Sequence, residues 1–109
     1  MRRLEAFVGF NDAVAAQANL NQAFIGVGYD VVIELMEVTR GFLAQEPKQR
    51  DFDAFLGDIR SRTQDPSLIH RRGLALVQAF ETNEEVWNQQ LDLRSAAIRT
   101  LNQQAAANI

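Results

Sequence analysis

Between Phe24 and Leu43 the chain offers almost no polar face. Phe24, Gly28, Val31, Leu35, Val38 and Phe42 follow a 4-3-4-3-4 rhythm, the spacing of one side of an α-helix. At about 100° per residue, Ile25, Val32, Ile33, Met36 and Leu43 fill much of the remaining circumference. Only a narrow stripe of Asp30, Glu34, Glu37 and Gly41 stays outside the apolar surface. A helix that is apolar over most of its surface must be surrounded by others. A membrane span is the competing reading, but Asp30, Glu34, Glu37 and Arg40 fall inside the stretch. Each would cost about 2.5–3.5 kcal/mol at a bilayer centre. The segment therefore predicts a central helix over about residues 27–45, ended by the polar run Gln45–Arg50 with Pro47 inside it.

The rest of the chain supplies partners for it. A first helix is predicted over about residues 4–24. Leu4, Phe7, Asn11, Val14, Ala18, Asn21 and Ile25 form its seam, with two asparagines as polar guests. Gly26 and Gly28 bracket Val27 and mark either a break or a close backbone approach. A third helix, about 51–62, has Asp51 as N-cap and Phe52, Phe55, Leu56 and Ile59 on one face. Asp65-Pro66 reads as a cap followed by a first helical residue, opening a fourth helix. Its inner side carries Ile69, Gly73, Leu76, Val77 and Phe80. Thr82-Asn83-Glu84-Glu85 fits a capping box, which leaves one long helix or two. No β-period persists. The expectation is one all-α domain over 1–109, a bundle of four to five helices.

Composition narrows the chemistry. The chain has 109 residues, no cysteine and a single histidine, His70. Disulfides, thiolate metal sites, cysteine nucleophiles and multi-histidine sites are thereby excluded. Ser61, Ser67 and Ser95 lie in no nucleophile motif, and Gly26 and Gly28 are followed by neither a third glycine nor a lysine. The net charge of −3 speaks against general nucleic-acid binding, which rests on neutralising phosphates. No signal-peptide pattern follows the two N-terminal arginines, so a cytoplasmic protein without a bound cofactor is expected. Ten of the 11 basic residues are arginines, whose planar, fixed fork of donors suits directed contacts.

Carboxylates remain as possible catalytic groups. Glu34 and Glu37 form an E-x-x-E pair, two carboxylates on one helix face about 5–6 Å apart at Cβ. Such a pair can hold Mg²⁺. With Asp58 in Phe55-Leu-Gly-Asp58, the pattern resembles the all-α nucleotide pyrophosphatases of the MazG type. The resemblance covers about 25 residues. It implies Mg²⁺ held by Glu34, Glu37 and Asp58 and hydrolysis of nucleoside triphosphates. Phe55 stands where that family has its third carboxylate. The plainer reading is a solvated stripe on a buried helix.

Two basic motifs have similarly plain alternatives. His70-Arg71-Arg72-Gly73 resembles histidine-phosphotransfer domains, whose pattern is closer to H-x-x-K-G. Here the cation and glycine come one residue early, a rotation of about 100°. Arg60, Arg62, Arg71 and Arg72 flank the third turn like an outline helix-turn-helix, or form solvated helix ends with weak ion pairs.

The last helix holds the remaining candidate. Trp87, Leu91, Arg94, Ile98, Leu101 and Ala105 step 4-3-4-3-4 amid Gln and Asn. Arg94 in this seam needs a carboxylate, backbone carbonyls or a route for its stem to water. No complete catalytic set is present. The sequence therefore favours a non-catalytic helical protein-binding module, such as an assembly subunit, an adaptor or a small inhibitor or immunity-type protein. Its partner, a second copy or another protein, would bind through Trp87, Leu91, Arg94, Ile98 and Leu101.

Overall fold

A computed structural model of the chain describes the backbone of residues 2–107 and the side chains of residues 10–107. Among the described residues, five α-helices and two short 3₁₀ turns follow one another. They are α1 (Arg2–Ala23), α2 (Tyr29–Ala44), α3 (Phe52–Arg60), α4 (Ile69–Thr82) and α5 (Glu84–Ala107). The bundle extends 56 × 35 × 25 Å. Among the described residues, no helix is long and apolar enough to cross a membrane.

The boundaries have local causes. Gly26 sits at φ 71°, a left-handed conformation that glycine tolerates without cost, and there the chain leaves α1. Gly28 then caps α2, with no side chain serving its free N–H groups. The glycine pair thus breaks the helix. Asp51 caps α3, its side chain accepting a hydrogen bond from Ala54 N at 3.1 Å. Pro66 opens a 3₁₀ turn over Pro66–Leu68, and α4 starts only at Ile69. Asp65 is not its cap. Its carboxylate accepts from Ser67 Oγ instead, at 2.7 Å. The α4–α5 break lies at Asn83, whose Oδ1 accepts from Val86 N at 3.1 Å. The cap is therefore Asn83, one residue after the Thr82 that the capping box predicted.

The core gathers Leu20, Val32, Leu35, Met36, Ile59, Leu76 and Trp87, all fully or almost fully buried. The helix expected at the centre, α2, packs against α3, α4 and α5, and shares that place with α4, which packs against every other helix. The acidic stripe of α2 is exposed, as are Asp30, Glu34, Glu37 and Gly41 individually. Phe42, Phe52 and Phe55 form an aromatic cluster between α2 and α3, with Phe42 and Phe55 stacked at 4.5 Å.

α1 departs from the expected seam. Leu4 and Phe7 lie outside the described side chains. Asn11, Val14, Ala18, Asn21 and Ile25 all face outward. The buried side is Ala16, Leu20 and Ala23, set against α4, the helix α1 packs on most extensively. On α4 the buried residues include Ala75 and Ala79. Small side chains on both helices let the axes approach closely. The apolar side chains of Val14 and Ile25, both about half exposed, remain outside.

Candidate interaction surface

The stripe on α5 divides into two parts. Trp87 is fully buried, its ring edge-on to Phe80 at 5.4 Å. It belongs to the chain's own core and offers no surface to a partner, a correction to its place in the predicted contact face. The cause is position: Trp87 lies in the first turn of α5, directly beneath the α4–α5 corner. Leu91 packs partly against the same core. Ile98 is half-buried.

Arg94 is held without a carboxylate. Its Nη1 donates to Gln90 Oε1 at 2.6 Å and to Gln90 O at 3.3 Å. The guanidinium lies over Phe24 at 5.2 Å and Tyr29 at 5.8 Å, where ring quadrupoles favour a cation. Arg94 thus ties α5 to the corner between α1 and α2. Its Nε has no acceptor.

Beyond Ile98 the stripe outruns the body. Residues 99–107 are all exposed, and Leu101 is 56% exposed. On a helical wheel Leu101 and Ala105 continue the line of Trp87, Leu91, Arg94 and Ile98. Leu93 is 68% exposed and Tyr29, beside Arg94, 53%.

The other candidates are placed as follows. Glu34, Glu37 and Asp58 are exposed. Glu34 meets Arg62 at 3.7 Å. Among the described residues, no three His, Cys, Asp or Glu side chains come close enough to hold a metal ion, so the E-x-x-E pair and Asp58 do not converge on one point. His70 and Arg71 are exposed, and His70 stands edge-on to Phe52 at 5.8 Å. Gly73 is buried, not at a partner-facing surface: a Cβ there would lie 2.5 Å from Leu56 Cδ2.

The basic cluster is split. Arg60 and Arg71 are exposed. Arg62 donates to Asp58 O at 2.8 Å. Arg72 is 3% exposed and donates to Ala23 O at 2.8 Å. A buried Arg72 was missed by the sequence reading, yet a signal existed: Ile69, Arg72, Leu76 and Ala79 step 3-4-3, the spacing of one helix face.

Comparison with protein-family models, with curated proteins and with solved structures finds no match for the chain.

Proposed function

We propose that the chain is a non-catalytic helical protein-binding module, and that the distal stripe of α5 is its contact surface between two copies. One observation carries the reading: the apolar line of α5 continues past the last residue it packs on, leaving Leu101 56% exposed at its end. Residues 95–107 contain a single charge, Arg99, so two such segments can approach without strong like-charge repulsion. An antiparallel pairing sets Ile98 against Ala105 and brings the two Leu101 side chains together. A two-fold interface of this kind uses the same patch on both copies. Polar neighbours, Asn102, Gln103 and Gln104, would form its rim.

Light scattering over a concentration series tests it. The expected result is a dimer that dissociates on dilution, and a monomer for Leu101→Glu with its helical content intact. A wild-type chain that stays monomeric at high micromolar concentration overturns the self-association.

A further inference from the structure

We infer that α1 exchanges between copies of the chain. The α1–α2 corner straightens, α1 and α2 join into one helix, and α1 packs on α4 of a second copy. The exchange uses a different part of the chain from the distal stripe of α5 and does not depend on pairing there.

The corner interrupts a helical pattern that the sequence carries through it. Phe24, Gly28, Val31, Leu35, Val38 and Phe42 keep one rhythm, yet α1 ends at Ala23 and α2 starts at Tyr29. The break rests on Gly26 at φ 71°, a conformation that residues with a Cβ resist. Gly28 caps α2 with no side-chain hydrogen bond. The last carbonyls of α1 and the first N–H groups of α2 have no intrahelical partners. A straight corner pairs these two sets with each other, beginning with Val27 N donating to Ala23 O.

Little else holds the bent form. α1 packs chiefly on α4, through Ala16, Leu20 and Ala23. Among the described residues one side-chain hydrogen bond joins α1 to another helix, from Arg72 Nη1 to Ala23 O at 2.8 Å. Arg72 is thus the clasp of the bent corner, because Val27 N takes over that carbonyl when the corner straightens. Residues 13–29 carry no charge, so no ion pair anchors this part of α1.

Geometry sets the partner. On a straight helix the buried side of α1 lies about 140° around the axis from that of α2, where Val32, Leu35, Met36 and Thr39 face the core. The side of α1 that α4 covers then turns away from its own copy. The vacated face of α4, with Ala75 and Ala79, matches one segment by construction, the α1 of a second copy. Reciprocal exchange restores the α1–α4 packing in both copies and needs no new surface beyond the hinge.

The test carries Leu101→Glu throughout, which removes pairing through α5. Gly26→Ala combined with Gly28→Ala penalises the bent corner and favours the straight one. After incubation at high micromolar concentration, light scattering should show a dimer fraction raised by at least about tenfold over Leu101→Glu alone. That dimer should separate slowly on dilution, because α1 must leave α4 before the copies part. Mixed isotope-labelled and unlabelled chains should show methyl contacts between copies, from Ala16 to Ala75 or Ala79. Arg72→Met, with both glycines in place, should raise the dimer fraction too, since it weakens the bent form alone. Monomers for both variants, or a dimer without α1–α4 contacts between copies, would overturn the exchange.

Discussion

Arg72 on α4 reaches back to the carbonyl of Ala23, the last residue of α1, and binds it at 2.8 Å across 49 positions of sequence. That carbonyl is one of four that a helix end leaves without an intrahelical donor. A cation there also meets the negative end of the α1 dipole. The contact fixes where the end of α1 sits against the start of α4. Arg72→Met keeps much of the volume but strands the carbonyl. We expect a loss of about 2–3 kcal/mol, combining a hydrogen bond to a charged group with an unsatisfied buried acceptor. Urea denaturation checks it: the midpoint should fall with little change in slope.

The cap of α5 separates two neighbouring residues. Asn83→Ala removes the acceptor of Val86 N and should cost about 1 kcal/mol. Thr82→Ala touches no cap and should stay within about 0.5 kcal/mol. Equal losses in thermal melts would restore Thr82 as the cap.

The glycines predict opposite signs. A Cβ at Gly41 meets nothing within 4 Å, and the position is helical. Gly41→Ala should stabilise by about 0.5–1 kcal/mol. Gly26→Ala should destabilise by about 1–2 kcal/mol, because φ 71° is left-handed. At Gly73 an alanine Cβ pushes only the tip of Leu56, roughly offset by the helix propensity it gains, whereas Gly73→Leu overpacks the α3–α4 contact by about 1–3 kcal/mol. Melting temperatures of the four variants give the order.

Trp87 should report on the core. Being fully buried, it should emit at short wavelength in the native chain and shift red on unfolding. Trp87→Ala should lose about 3–5 kcal/mol. Trp87→Phe should lose less, since the indole Nε1 has no hydrogen-bond partner to forfeit.

Where large apolar side chains set the pattern, the fold was legible. The solvated stripe of α2 and the Phe55 and Ile59 face of α3 lie where their spacing put them. The α1 seam was misread because its packing runs through Ala16 and Ala23. Alanine buries little area and leaves a weak mark in periodicity, yet it permits the closest helix contact. The arginine bias was visible, but its use was not. Arg50 donates to Leu43 O and Gln45 O, Arg62 to Asp58 O, and Arg72 to Ala23 O. These arginines tie down carbonyls at the ends of α2, α3 and α1. Such pairings join residues close in space, and for Arg72 far apart in sequence, so only the structure reveals them.

The overhang of α5 has a thermodynamic consequence. From residue 99 onward every described side chain is exposed, so burial contributes little to holding that segment helical. Its order rests on local propensity, which in water barely sustains an isolated short helix. Amide hydrogens there should exchange with solvent orders of magnitude faster than those near Trp87. A second copy that covers the stripe must therefore supply, out of its own contact energy, the entropy lost when a fraying helix end becomes a rigid one.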